Sequence, residues 1–264
     1  MTIDGATRLY AIIGDPVAQV RSPSVYTELF AGAGINAVMI PAHVGTEFFE
    51  PTMRGLMALG NLDGLLITSP HKNAALSLAG QVSARAQSVA AVNALRRESD
   101  GSWTGDMFDG VGFVAAAQAL TPVDGARVLL FGCGGAGAAI AAELAAEGAS
   151  SIALIDPDAS RAEDLSRSLT RHFPACSISL RRDDARYDIV VNASVVGMKD
   201  TDDVPGDPGP LDAQSIVGDV VLRPPERPTE FVLRALSAGA RVVTGQQMHA
   251  GQTDAIMRFF FRAG

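Results

Sequence analysis

Short apolar runs alternate along the chain with longer segments in which apolar residues recur at helical period, which predicts an α/β fold with mainly parallel strands. In the first half, Leu9 to Ile13, Ala37 to Ile40 and Leu65 to Thr68 read as strands, and Ser24 to Ala33 and Glu47 to Leu59 as helices. Ala90 to Arg96 and Ser102 to Thr104 flank a turn at Asp100 and Gly101 and read as a hairpin that breaks the rhythm. The rhythm restarts after Gly110. Gly112 to Leu120 is predicted helical and Arg127 to Phe131 is a strongly apolar strand. Helix, strand, helix and strand then follow over Ala136 to Glu147, Ile152 to Ile155, Ser160 to His172 and Asp188 to Asn192, the beat of a nucleotide-binding half. Thr201 to Pro210, dense in Asp, Pro and Gly, is an exposed loop, after which Ile216 to Val221 and Ala240 to Thr244 supply two further strands. The amphipathic tail, His249 to Arg262, is expected to lie against the first domain.

Composition narrows the function. The 264 residues, 47% hydrophobic and 19% charged, suit one large or two modest globular domains and exclude wholesale disorder. A formal charge of −8 and the lack of any dense Lys or Arg cluster argue against nucleic-acid binding. Apolar runs such as Gly132 to Ala146 fall short of the roughly 20 residues of a membrane span, so no transmembrane helix is expected. The amino terminus lacks the basic start of a secretory signal, and two cysteines, Cys133 and Cys176, make no disulfide framework; a reducing cytoplasm is the expected location. Four histidines without ligand spacing give no case for a metal.

Gly132-Cys133-Gly134-Gly135-Ala136-Gly137 is a G-x-G-x-x-G placed between an apolar strand and an alanine-rich helix. Its first glycine allows the tight turn, its second lets backbone approach a pyrophosphate, and its third brings helix against strand. The free N–H groups at the helix start, from Gly135 and Ala136 onward, then face the anion. Asp156 ends the next strand, where a carboxylate accepts both hydroxyls of an adenosine ribose and repels a 2′-phosphate. Pro157 and Asp158 follow, with no arginine until Arg161 one helical turn on, so NAD is favoured over NADP. The competing reading of Asp156 is a turn or helix-capping residue.

Three further motifs lie in the first half or at its end: GDPVAQVRSP (Gly14 to Pro23), TSPHK with AVN (Thr68 to Lys72, Ala91 to Asn93), and GDMFDG (Gly105 to Gly110). In order and spacing they resemble the shikimate and quinate dehydrogenase family, and the resemblance continues through the glycine loop, the stretch Asn192 to Met198 and Gln252. It implies two domains with a cleft between them: residues 1–108 plus 248–264 binding substrate, and 109–247 a Rossmann dinucleotide domain. It implies that Lys72 and Asp109 form the catalytic pair, with Ser22, Thr68, Asn93 and Gln252 on substrate and Asn192, Ser194 and Val220 beside the cofactor. The chemistry agrees: oxidising a secondary alcohol sends a hydride to nicotinamide and a proton to a base. Lysine serves as that base if burial lowers its pKa, whereas a neighbouring carboxylate raises it. Lys72 is taken as the acid/base, Asp109 as the group that orients it and binds an adjacent hydroxyl.

The chain also departs from the family. Val20, Leu66, Met107, Phe108 and Leu222 stand where the family carries polar residues, removing hydrogen-bond donors from the expected pocket. Each buried group left unpaired costs about 1–3 kcal/mol, so a less hydroxylated or bulkier relative of shikimate or quinate is the expected substrate, with Met107 and Phe108 forming an apolar wall; a true shikimate dehydrogenase in which other side chains fill the missing roles stays open. Arg21 and Arg223 are candidate carboxylate forks, and His71 and His249 candidate substrate contacts. A monomer or homodimer is expected. Two other classes stay open: a catalytically silent NAD-binding sensor, disfavoured by retention of Lys72 and Asp109, and a folate-linked methylene dehydrogenase, which fits AVN and the Asn192 to Met198 stretch less well.

Overall fold

The computed structural model describes residues 3–18 and 20–261; Gln19 of the first motif and Arg262 of the predicted tail lie outside them. The chain divides into two compact units, Met1–Met107 with Arg258–Gly264, and Phe108–Met257.

The first unit is built on one six-stranded sheet. Strand β1 (Arg8–Gly14) leads through helix α1 (Ser22–Gly32) to β2 (Ala37–His43), and α2 (Phe49–Met57), entered by a 3-10 turn, leads to β3 (Leu62–Ile67). A further 3-10 turn precedes β4 (Gln81–Val82), α3 (Ala84–Val89) and the antiparallel hairpin β5 (Ala94–Arg97) and β6 (Trp103–Asp106). The spatial order is β2-β1-β3-β5-β6-β4, with β5 antiparallel to both neighbours. Ala11 and Ile13 are fully buried and Tyr10 and Ile12 nearly so, as expected of a strand covered on both faces. Tyr10 packs on Phe30 of α1 and on Phe260, with ring centroids 4.7 and 4.9 Å away. Gly64 is required there: a Cβ at that point would lie 2.7 Å from both the Tyr10 and Phe260 rings.

The second unit opens with α4 (Asp109–Gln118), then β7 (Arg127–Phe131), α5 (Gly135–Ala146), β8 (Ser151–Ile155), α6 (Ala159–His172) and β9 (Ser177–Ser179). It continues with β10 (Ile189–Asn192), β11 (Ile216–Asp219), α7 (Glu230–Ser237), β12 (Arg241–Thr244) and α8 (Gly245–Phe260). All six strands are parallel in the order β12-β11-β10-β7-β8-β9, so the chain reverses direction across the sheet between β7 and β10. A ligand crevice opens at the carboxyl ends of strands at such a reversal. The connections 193–215 and 220–229 contain no helix, leaving the carboxyl ends of β10 and β11 framed by loops.

Four short elements were not expected: β4, α3, β9 and α7. Helix α7 is capped by Thr229, whose hydroxyl accepts from Val232 N, and buries Phe231 and Ala235 against Leu129, Val190 and Val217. The tail helix also differs from expectation. It begins at Gly245 and stays with the second unit through Met257, because Gly112 and Gly251 let α8 cross α4 with backbone nearly touching. Only from Arg258 does it join the first unit, where Phe259 O accepts from Arg96 at 2.6 Å. The single tryptophan, Trp103, is buried in the first unit, and both cysteines are buried free thiols in the second. No helix among the described residues is long and apolar enough to cross a membrane.

Candidate active site

In the first unit the separated motifs converge at the carboxyl ends of β1 and β3. Asp15 N donates to Ser69 O at 3.0 Å, Val92 N to Lys72 O at 3.0 Å, and Ile67 N to Asn93 O at 2.8 Å, so backbone bonds lace GDP, TSPHK and AVN together. Asn93 N in turn donates to Asp106 O at 3.0 Å, tying in the GDMFDG strand. Lys72 and Thr68 are half-buried, Asn93 and Ser22 buried. Asp106 was not singled out in the sequence; its nearly buried carboxylate accepts from Arg85 Nε at 2.8 Å and Met107 N at 2.7 Å and fixes the end of β6.

His71 does not line a pocket. It is 1% exposed, stacks on Phe49 with centroids 4.4 Å apart, and its Nε2 lies 2.6 Å from Val44 O. A carbonyl only accepts, so Nε2 carries the proton and His71 anchors the turn that presents Lys72. The expected apolar wall is also absent: Met107, Phe108 and Leu66 are 2%, 3% and 5% exposed and fill packing space instead. Of the positions changed from polar to apolar, half-buried Val20 and exposed Leu222 are the ones that present surface. Arg21, beside Ser22 at the start of α1, is exposed and enters no ion pair among the described residues.

In the second unit, Asp109 occupies the first turn of α4 and is buried. Gly110 brings this turn against α5, where a Cβ would lie 2.2 Å from Ala139 O, and Gly112 brings it against Gln252. Gln252 donates to His249 Nδ1 at 3.2 Å, and its Oε1 is buried with no partner among the described residues. A buried acceptor in that state awaits a donor. His249 therefore acts on Gln252, one helical turn away.

The glycine loop fits a pyrophosphate. A Cβ at Gly137 would sit 1.8 Å from Gly132 O, so that glycine is an internal packing requirement, whereas nothing lies within 4 Å of a Cβ at Gly134. The protein itself therefore leaves open space at Gly134, which stands at the N-cap of α5 where free N–H groups point outward. Gly135 and Ala136 start that helix half-buried. Asp156 touches the loop directly: Oδ2 accepts from Cys133 N at 2.6 Å, and Oδ1 from Asp158 N at 2.8 Å. The Cys133 thiol is pushed up to about 12, first by burial and then by the Asp156 charge. Arg161 is exposed and faces Asp158, 3.3 Å away.

At the ends of β10 and β11, Asn192 and Ser194 bond chiefly to each other and to their own loop. Val220 is half-buried. Arg223 is not a free carboxylate fork: Nε donates to Gly197 O at 2.8 Å and the guanidinium pairs with Asp200. Asp219 is buried at the end of β11, and burial raises its pKa against the opposing effect of its hydrogen bonds. The residue had no motif to mark it, although a charged residue closing an apolar strand was the available signal.

Residues 12–95 match the family model described as the shikimate dehydrogenase substrate binding domain. The chain is 32% identical to the shikimate dehydrogenase (NADP(+)) of Geobacter sulfurreducens, covering 98% of this chain and 93% of that one. It resembles the crystal structure of shikimate 5-dehydrogenase from Listeria monocytogenes in complex with shikimate and NAD, with a TM-score of 0.88, 27% identity, and coverage of 100% and 94%. It also resembles the ligand-free 5-ketofructose reductase of Gluconobacter, with a TM-score of 0.86, 27% identity, and coverage of 97% and 94%. With the lacing of the three motifs in one unit and the parallel nucleotide sheet of the other, these matches show that the chain belongs to the shikimate/quinate dehydrogenase family of oxidoreductases.

Proposed function

We propose that the protein is a NAD-preferring dehydrogenase that reversibly oxidises a ring secondary alcohol of a shikimate-like hydroxy acid, with the first unit binding substrate and the second the cofactor. The observation that carries the cofactor reading is Asp156, a carboxylate bonded to the glycine loop and followed by Pro157 and Asp158. A 2′-phosphate brought there meets two acids, and the next arginine along the chain, Arg161, is already paired with Asp158. The Geobacter relative is named for NADP(+), so this preference is a departure from it.

Bound nicotinamide supplies the hydride acceptor. Lys72 takes the hydroxyl proton on oxidation and returns it on reduction, Asp109 orients Lys72 and accepts from a neighbouring hydroxyl, and Asn93 and Gln252 hold other hydroxyls. Ser22 binds the acid group, and Thr68 contacts the substrate from the same end of the first sheet. Val20 and Leu222 favour a ring with fewer polar substituents than shikimate. A family fold that also serves a protein named 5-ketofructose reductase is compatible with such a change of ring.

The test is a panel of cyclic and aromatic hydroxy acids with NAD and NADP, following reduced cofactor. The expected result is higher kcat/KM with NAD and a better substrate than shikimate. Efficient turnover of shikimate with NADP would overturn the proposal. NADH formation no greater than that of Lys72→Ala would favour the silent sensor instead.

A further inference from the structure

We propose that Asp219 is a positioning residue for the nicotinamide half of the cofactor site, its carboxylate tying together the two loops that follow β10 and β11. The inference rests on the reading that the second unit binds a nicotinamide dinucleotide. In a sheet of this order the second mononucleotide half lies over the strands beyond the reversal, here β10 to β12.

Asp219 is 2% exposed and accepts three hydrogen bonds: from Thr229 Oγ1 at 2.5 Å, Val221 N at 3.0 Å and Asn192 Nδ2 at 3.2 Å. Each partner continues the network. Asn192 Nδ2 also donates to Val196 O at 2.9 Å, and its Oδ1 accepts from Ser194 N at 3.1 Å and Ser194 Oγ at 2.7 Å. Ser194 Oγ accepts in turn from Val196 N at 3.1 Å, so the loop after β10 is closed on itself through Asn192. Thr229 caps α7 through Val232 N, and Gly197, at φ +101°, lies so close that a Cβ there would be 2.8 Å from Thr229 Cγ2. The glycine loop abuts the same network, since a Cβ at Gly132 would lie 2.7 Å from Ser194 N.

Val221 N and the Asn192 amide donate to one carboxylate oxygen of Asp219 and the Thr229 hydroxyl bonds to the other, so both oxygens are engaged by the two loops. The same two loops expose Val195, Met198 and Leu222, at 69%, 62% and 59%. Exposed apolar side chains on hydrogen-bonded loops suit a flat heteroaromatic ring. The Asp219 carboxylate bonds directly neither to the glycine loop nor to Asp156, so deleting it should loosen the nicotinamide end far more than the adenosine end.

The test compares binding of NADH and of ADP-ribose, which lacks nicotinamide, to the wild type, Asp219→Asn, Thr229→Val and Thr229→Ser, each checked by circular dichroism and Tm. In Asp219→Asn and Thr229→Val the NADH Kd is expected to rise about tenfold while that for ADP-ribose stays within about twofold, and Thr229→Ser, which keeps the hydroxyl, should bind like the wild type. If Asp219→Asn does not fold, the Thr229 pair decides the matter. Equal weakening of both ligands, or of neither, in folded variants would overturn the positioning role. A wild type that binds neither ligand would instead overturn the underlying cofactor reading.

Discussion

Asp156 meets two demands at once. Its carboxylate is the acceptor for backbone N–H groups on both sides, Cys133 in the glycine loop and Asp158 ahead of α6, and in the function proposed above it is also the group offered to a ribose. Asp156→Ala should therefore lower kcat/KM for NAD roughly tenfold or more through loss of a charge-assisted bond to the loop, without a matching gain for NADP, because Asp158 remains. Initial-rate kinetics with both cofactors checks this; an equal gain for NADP would mean that repulsion by the carboxylate is its whole role. At Asp219 the sign of the pH effect follows from burial. Its folded pKa is raised above the ordinary 3.8, so its contribution to stability is full below that value and is lost as pH rises through the raised pKa. Urea midpoints of the wild type, measured relative to Asp219→Asn, should accordingly fall as pH rises above about 4, and a difference that grows with pH would contradict the assignment.

At the scale of elements, the two glycines Gly134 and Gly137 separate ligand from scaffold. Gly137→Ala puts a methyl into Gly132 O and should destabilise the second unit by about 3 kcal/mol or more, whereas Gly134→Ala meets nothing and should melt like the wild type yet bind NADH more weakly. Thermal melts with and without NADH distinguish the pair. The strands that could be read from sequence were those with continuous apolar runs, such as β1 and β7, whose side chains are buried on both faces. The others gave too little signal. Edge strand β9 is three residues with polar ends, and α7 sits directly behind the proline-rich stretch from Pro224 to Pro228, which reads as loop until the capping role of Thr229 is seen. In the proposed site, Lys72, Asn93 and the glycine loop could be singled out from sequence because chemistry, spacing and the family resemblance coincided. Asp219 and the burial of His71, Met107 and Phe108 were not, since burial depends on which elements stack, and a local pattern does not carry that information.

Across the whole molecule, the distribution of rare side chains has an experimental consequence. The only tryptophan lies in β6 of the first unit, while Cys133 and Cys176, with thiols raised to about 12 and about 11 by burial, both lie in the second. Neither thiol should react with a disulfide reagent at pH 8 until its unit opens, since the thiolate is the reactive form. The unlabelled chain thus carries a separate optical reporter for one half and a chemical reporter for the other. Denaturation followed by indole emission and by thiol titration should give two curves, and saturating NADH should move the thiol curve further, because a ligand stabilises first the unit that binds it. Equal displacement of the two would mean that the halves melt as one body, and cofactor affinity would then be readable from tryptophan alone.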